Sequence, residues 1–559
     1  QSAAEVGIDT KILVTLATGI FIVPFILFSA LGGQYADKYP KDKVIRVIKV
    51  AEIAIGVSGA VALLSGSIVL QFFTLFALGA QSAFFGPSKY SILPQHLEEK
   101  ELIGGNALLS TGTFLAILVG TIVGAAFVTL KAGVPVVSFL LVGVAVIGYI
   151  ASRYIPTAPA GDPKLKMNYN IVGETYKILN QLFNHKRSVI ESALGVAWFW
   201  FLGGVFLSQL PNFTKGVLGA TNDVFTLFMV LFSVGIALGG LLNNRLLRGR
   251  VEAVYVPLAA VGITIFSIDL FFAGNGYHGG SADALISFTT FIGTLASWRI
   301  IVDIFMIALC AGLFVVPLNA IIQHDTPEDN RSRILAASAI LNSIFVVASS
   351  VISAILLSVG FGVTALFLAC ALANMFVALY ICQLLPAYFM KSMMQMILKT
   401  LYKVEVRGLE NLEKAGPRAV IVCNHVSFLD APVLAAFLPG KPMFAVNSFV
   451  ANWFWVRPFL KMVDAFPLDP TNPFSLKSLI KEVEKDKHCV IFPEGRLTET
   501  GALMKIYDGP GMIADKSDAM VLPIRLDGVQ HTPFCRLKGK VPLRTFPKIT
   551  MTILEPRKF

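Results

Sequence analysis

The chain has 559 residues, of which 55% are hydrophobic and 14% charged. Soluble globular chains carry about 25% charged residues, so this composition excludes an ordinary soluble protein and requires most of the chain to face lipid. The net charge of +11 does not indicate a nucleic-acid partner. Its Lys and Arg flank apolar spans, as the positive-inside rule expects.

The apolar bias is uneven. Residues 1–385 are long apolar runs with short polar gaps, whereas 386–559 have ordinary soluble composition, which places the main domain boundary between them. The chain begins with Gln and has no secretory signal ahead of it, so a trimmed start is expected. A spanning helix needs about 20 apolar residues. Eleven segments qualify: near 11–32, 44–66, 69–92, 104–130, 134–152, 190–210, 222–243, 251–273, 298–322, 334–358 and 362–385. The apolar stretch 283–297 reads as an outer extension of the span that follows it. Linkers 34–46, 153–189 and 245–250 are basic and read as cytoplasmic, while those near 67, 131, 211 and 274–282 read as external. This parity puts the last span's exit, and the tail after it, on the cytoplasmic side. It also leaves Gln1 outside, which a missing first helix would repair.

Segment 153–189 divides the spans into halves of about 1–152 and 190–385. "GPSKYSILPQHLEEK" (86–100) and "VPLNAIIQHDTPEDN" (316–330) echo each other, each leading into a helix that carries an Asn, Asn106 and Asn342. Parallel six-helix repeats of this kind build one transporter family. "GGQYADKYPKDK" (32–43), with Gly33, Asp37 and Lys38, resembles the loop motif between helices two and three of major facilitator superfamily transporters. The matching loop of the second half has Asn244 where an acid would stand.

Charges inside a bilayer are costly and default to functional candidates. Lys49 and Glu52 stand one turn apart and Arg299 and Asp303 are spaced i, i+4, so local pairing is expected for both. Lys89 has no acid within a turn; it either snorkels or binds an anionic head group. The resemblance implies a cavity on helices one, four, seven and ten, making Gln81, Lys89, Trp198, Trp200 and Asp303 the cavity candidates.

Past Pro386, apolar residues at helical spacing, with Lys391, Gln395 and Lys399 elsewhere, predict a helix over 386–402 that is either interfacial and amphipathic or buried against the rest of its domain. "RAVIVCNHVSFLDAPVLAAFL" then reads as strand, tight turn and helix. His425 and Asp430 can meet only if His425 precedes the helix and Asp430 lies in its first turn. The S-F-L-D pattern supports this, with Ser427 as N-cap and Asp430 at N3. That arrangement serves either catalysis or simple capping. "CVIFPEGRLTETG" (489–501) is a second strand-to-turn, delivering Glu494, Gly495 and Arg496 together, and a third strand follows at 519–526. Alternating strands and helices predict an α/β domain with its site at strand ends.

His-x4-Asp (425–430), Phe-Pro-Glu-Gly (492–495) and Val-Leu-Pro-Ile (521–524) resemble the motifs of the glycerolipid acyltransferase family. The string from Phe492 to Ser517 is similar to its branch of bifunctional bacterial 2-acylglycerophosphoethanolamine acyltransferase/acyl-acyl carrier protein synthetases. A lysophospholipid transporter of the major facilitator superfamily can be fused to members of that branch. The expected architecture is therefore multidomain: an α-helical transmembrane major-facilitator bundle (1–385), the amphipathic helix (386–402) and an α/β glycerolipid-acyltransferase domain (403–559).

The resemblance implies His425 as general base, Asp430 as its orienting partner, and Glu494, Gly495, Arg496 and Lys505 around the acceptor's phosphate. It implies lysophosphatidylethanolamine as substrate in a bacterial inner membrane and acyl-acyl carrier protein, or acyl-CoA, as acyl donor. It further implies no bound cofactor or metal, no nucleic acid, and a synthetase module following residue 559. Where the family carries an Arg between the first two strands, "VDAFPLDPTNP" (463–473) has Leu468, Asp469 and Pro470. The competing expectation is a small-molecule transporter whose tail domain only binds lipid. Six Cys (310, 370, 382, 423, 489 and 535) show neither a CxxC pair nor a His at ligand spacing, and read as packed thiols.

Overall fold

The computed structural model describes residues 10–128, 130, 132–247, 249–280, 285–451, 460, 463–468, 473–537 and 539–558. The chain divides into two compact units, Gln1–Leu379 and Tyr380–Phe559.

The first unit is helical. Its long elements are α1 (Thr10–Lys38), α2 (Lys41–Ser65), α3 (Ile68–Ser91), α4 (Glu99–Val128) and α5 (Gly133–Ser152), then α6 (Ile171–Phe183). The second run comprises α7 (Arg187–Asn212), α8 (Asn222–Leu247), α9 (Val256–Asn275), α10 (Leu295–Asp325), α11 (Arg331–Ser358) and α12 (Val363–Leu384). All but α6 are long and apolar enough to cross a membrane, and these eleven are the eleven spans expected. The two halves meet where α1 packs on α11 and α4 on α8.

Three local expectations are corrected. Residues 285–294 do not extend α10: Phe288–Ile292 is a separate short helix capped by Ser287 Oγ, and α10 begins at Leu295. The basic linker is not mere linker, since α6 runs through it, capped by Asn170 Oδ1 on the Gly173 amide. It buries Glu174, Ile178 and Leu182 against α1 and α11. Finally, Arg299 does not pair with Asp303. Its guanidinium reaches across to Asp269 of α9 (Nε to Oδ2, 2.9 Å).

The second unit is a seven-stranded sheet of β1 (Glu405–Arg407), β2 (Ala419–Cys423), β3 (Met443–Asn447), β4 (Asp464–Leu468), β5 (His488–Ile491), β6 (Met520–Asp527) and β7 (Thr550–Ile553). The strand order is β1-β7-β6-β2-β5-β3-β4. All neighbours are parallel except β6 and β7. Central strands in such a sheet are buried on both faces and read as continuous apolar runs. Ala419, Val420 and Ile421 of β2 are accordingly fully buried.

Helix α13 (Pro386–Tyr402) packs on α14 (Asp430–Phe437). It takes the buried alternative: two of its three polar-side residues, Lys391 and Gln395, turn inward, and Lys399 is exposed. Lys391 is buried and donates to the Leu438 and Gly440 carbonyls (2.6 and 2.8 Å), and Gln395 donates to Ala436 O (2.6 Å). These are the orphan carbonyls at the end of α14, and a buried cation satisfies them. Met396, Ile397 and Leu401 are exposed, together with Lys399 and Thr400.

Candidate acyltransferase site and transporter contacts

Parallel β2 and β5 end side by side, and both candidate motifs leave from those ends. Asn424 is pinned first. Its side chain donates to Leu526 O (3.0 Å) and accepts from Leu526 N (2.9 Å), extending the ladder to β6. The chain then turns so that His425 precedes α14 and Asp430 opens it. Asp430 is fully buried, and its Oδ2 accepts from His425 Nδ1 (3.0 Å), Val426 N (2.6 Å) and Ser427 N (2.8 Å).

The expected capping register is corrected: helix α14 begins at Asp430 itself, so Asp430 is not at N3. The Ser427 hydroxyl instead accepts from Leu429 N (3.2 Å) and pairs with Thr532 Oγ1 (3.1 Å). Asp430 does reach back to the Ser427 amide, which is the half of the capping box that orients the carboxylate toward His425.

Glu494, equally buried, ties two loops together. Its Oε1 accepts from His425 N (3.0 Å) and its Oε2 from Met504 N (3.1 Å). Thr498 N closes the ring onto His425 O (2.9 Å). The His425 imidazole stacks on Phe492, with centroids 4.0 Å apart and planes 17° from parallel. Nδ1, bound to a carboxylate, carries a proton, so in the neutral ring the Nε2 lone pair is the acceptor. The side chain is 21% exposed, and no described residue bonds Nε2.

Electrostatics separate base from bystander. Burial pushes the Asp430 carboxyl above its ordinary value, while the His425 ring and the two amides pull it back. Burial, with Asp430 and Glu494 nearby, pushes the Cys423 thiol well up, so it stays protonated.

Gly495 takes φ +63°, the left-handed region that favours Gly, and a Cβ there would meet the Tyr507 ring at 3.4 Å. Arg496 and Lys505 beside it are exposed and make no ion pair among the described residues; the Lys505 ammonium lies 5.5 Å over the Tyr507 ring. Leu468 ends β4, while Asp469 and Pro470 lie outside the described residues.

In the helical unit, Gly33, Asp37 and Lys38 occupy the last turns of α1, not a loop. Asp37 is fully buried and caps the start of α11: Oδ1 accepts from Ser332 N (3.0 Å) and Oδ2 from Arg333 N and Nε (3.2 and 3.0 Å). A Cβ on Gly33 would come within 2.8 Å of Ala336 Cβ, so only Gly lets the helices approach this closely. Lys38 lies against Tyr39, its ammonium 5.8 Å from the ring.

The five cavity candidates do not gather in one place. Gln81 donates to Glu52 (2.7 Å), which also takes Lys49 (2.7 Å), the local pair expected. Lys89 meets Thr113 Oγ1 (3.4 Å) and lines an open surface groove of about 580 Å³ between α3 and α4. Trp198 donates to Asn374 Oδ1 (2.9 Å) and lines a different, narrow cavity. Trp200 packs edge-on to Phe199. Asp303 is buried beside Asp269.

Residues 3–298, more than half the chain, match the family described as Major Facilitator Superfamily. The chain belongs to that superfamily. Residues 403–527 match the family described as Acyltransferase, so an acyltransferase domain follows the major facilitator unit. Among curated proteins, a lysophospholipid transporter of Photorhabdus laumondii is 25% identical over 310 residues, 55% of this chain and 69% of that protein. A lysophospholipid transporter of Escherichia coli O1:K1 is 26% identical over 312 residues, 55% of this chain and 70% of that protein. The human organic anion transporter MFSD10 superposes with TM-score 0.52 at 12% identity, over 67% of this chain and 87% of that one, a likeness of fold alone. The 1-acyl-sn-glycerophosphate acyltransferase of Thermotoga maritima aligns at 23% identity over 30% of this chain and 66% of that one, with TM-score 0.25.

Sequence reasoning missed four residues that shape the acyltransferase site. Asn424 and Phe492 stood inside the quoted motifs, and their neighbours His425 and Pro493–Glu494 were the available signal. Thr498 stood inside the second motif too, but its partner His425 lies 73 positions away, and Thr532, 105 positions from Ser427, had no signal. In the major facilitator unit, the Asn106–Gln323 amide pair (2.7 and 2.9 Å) was equally hidden.

Proposed function

We propose that the major facilitator unit carries lysophospholipid, lysophosphatidylethanolamine above all, to the cytoplasmic leaflet of a bacterial inner membrane, and that the acyltransferase domain reacylates it there. The single observation that carries the enzymatic part is the His425–Asp430 pair: one ring nitrogen held by a buried carboxylate, the other open. The transport part is supported by the similarity to lysophospholipid transporters.

The free glycerol hydroxyl of the lysolipid attacks the carbonyl carbon of an acyl thioester, carried on acyl carrier protein or CoA. His425 Nε2 takes the hydroxyl proton as the C–O bond forms. Asp430 holds the tautomer and stabilises the imidazolium. As the tetrahedral intermediate collapses, the C–S bond breaks and the His425 proton goes to the departing thiolate. The nucleophile is the lipid, so no enzyme Ser or Cys is needed. Exposed Arg496 and Lys505 supply positive charge for the acceptor's phosphate. Glu494 contributes indirectly, since both its oxygens hold the loops that carry His425 and Met504.

Substituting His425 by Ala tests this. General-base loss should lower acyl transfer from acyl carrier protein by about 10³-fold. Lysolipid uptake by the same variant should persist. Unchanged acyl transfer in His425→Ala would sink the enzymatic reading, and absent uptake in the intact protein would reduce the helices to an anchor.

A further inference from the structure

A second side chain besides Asp430 meets the His425 ring. The Phe492 ring lies nearly parallel to it, 17° apart, with centroids separated by 4.0 Å. Atoms of stacked rings touch at about 3.5 Å, so this centroid distance leaves little lateral offset. Aromatic pairs generally avoid such a face-to-face sandwich, because two negative π faces repel. The arrangement is therefore poor for a neutral imidazole. It suits a cation, which the face of a Phe ring attracts within about 6 Å. His425 becomes that cation when Nε2 takes the hydroxyl proton, and returns to neutral when the proton goes to the departing thiolate.

The main chain puts Phe492 there. It follows β5 directly and precedes Pro493, which disfavours helical backbone at Phe492. Its carbonyl accepts from Gly495 N (3.1 Å), and the Pro493 carbonyl accepts from Tyr507 N (3.0 Å). The partly buried side chain packs against the apolar core of the sheet. The phenyl face is thus in place before any substrate arrives. Asp430 meets the same imidazole at Nδ1 (3.0 Å). Carboxylate and phenyl therefore act from different directions, one at the ring's edge and one on its face.

We propose that Phe492 is a positioning residue of the acyl transfer, whose π face stabilises the His425 imidazolium as it forms in the transition state. A contact that strengthens only when the imidazole gains charge lowers the barrier without tightening substrate binding. Its effect falls on kcat and leaves KM alone. This role rests on the reading of His425 as general base. A purely steric shelf would hold the imidazole plane equally well, but would be indifferent to the electron density of the phenyl ring.

Replacing Phe492 in the full chain by mono-, di- and trifluorinated phenylalanine tests this, since fluorine drains the π face while scarcely changing ring size. Acyl transfer from acyl carrier protein to lysophosphatidylethanolamine is followed in detergent, with KM for both substrates and the unfolding temperature. Expected is a stepwise fall in kcat, about tenfold at the trifluorinated ring, with KM and unfolding temperature unchanged. Phe492→Leu should lose about as much. A flat fluorine series would overturn the proposal even if Phe492→Leu is slow, and the series serves where that variant fails to fold. A series that moves KM alone would place the ring in substrate binding and overturn it equally. In His425→Ala the residual activity should not respond to fluorination; a persisting slope would mean that the ring acts on the substrate and not on the imidazole. Unchanged acyl transfer in His425→Ala itself would remove the general-base reading, whereas a flat series in a protein that needs His425 removes only the role of Phe492.

Discussion

The two units hold their polar groups in opposite ways. In the acyltransferase domain, His425, Asp430 and Glu494 are positioned mostly by main-chain amides, four of which donate to the two carboxylates. In the major facilitator unit, several buried or functional-candidate polar side chains are held by atoms of other helices: Asp37 by α11, Trp198 by Asn374, Arg299 by Asp269. Amides within a few residues travel with the motif, so a catalytic pair of the first kind survives as a short string. A contact of the second kind exists only once the helices have packed.

The sharpest break of this contrast comes from Asp430→Asn. The side chain can keep a hydrogen bond to His425, but a neutral amide neither fixes the productive tautomer nor stabilises the imidazolium. The expected loss in kcat is about 10³-fold, little short of His425→Ala, with binding of lysolipid retained. A loss under tenfold would mean that Asp430 only caps α14. Next in size is Asp37→Asn in the other unit. It removes one partner of a buried ion pair and sets an NH2 against Arg333, which should cost about 3 kcal/mol of stability. Thermal unfolding in detergent reads this directly, and acyl transfer by the same protein should stay within about twofold at 25 °C. A matched collapse of acyl transfer would show that the two kinds of site are not independent.

A smaller effect separates charge from geometry at the phosphate side. Arg496→Ala combined with Lys505→Ala removes exposed cations that touch neither His425 nor Asp430. KM for lysophosphatidylethanolamine should rise about tenfold, near 1.4 kcal/mol, with kcat little changed. A fall in kcat at unchanged KM would assign these residues to the reacting centre.

What was legible in the sequence follows the same division. Eleven spans could be counted because each is a run of about 20 apolar residues, and bilayer thickness sets that length. The strand-turn layout around His425 was legible because β2 and β5 are short apolar runs ending in turn residues. Helix α6 was missed because Lys164, Lys166, Lys186 and Arg187 made its surroundings read as linker. Its burial depends on α1 and α11. The inward turn of Lys391 was missed because a Lys facing a helix end looks the same in sequence as one facing water. Local spacing also favoured Arg299 with Asp303, and the sequence carried no sign that Asp269, 30 positions earlier, would compete.

The smallest expected effect concerns Cys423, two residues before the base. Its position invites an acyl-enzyme mechanism, in which the thioester first passes its acyl group to an enzyme thiol. That route needs a thiolate, and the surroundings oppose one: the side chain ends a buried strand, is 2% exposed, and has two carboxylates raising its pKa together with burial. Cys489 on the neighbouring strand, pushed up to about 12 by burial alone, is a matched control. Neither should react with iodoacetamide at pH 7.5 in the folded protein, and both should react in denaturant. Cys423→Ala should keep kcat within about threefold while losing about 1 kcal/mol of stability from the vacated volume. A variant that unfolds at the same temperature as the parent but transfers acyl groups a hundred times more slowly would move the chemistry onto the thiol. His425 would then serve the enzyme's own nucleophile rather than the lipid's hydroxyl.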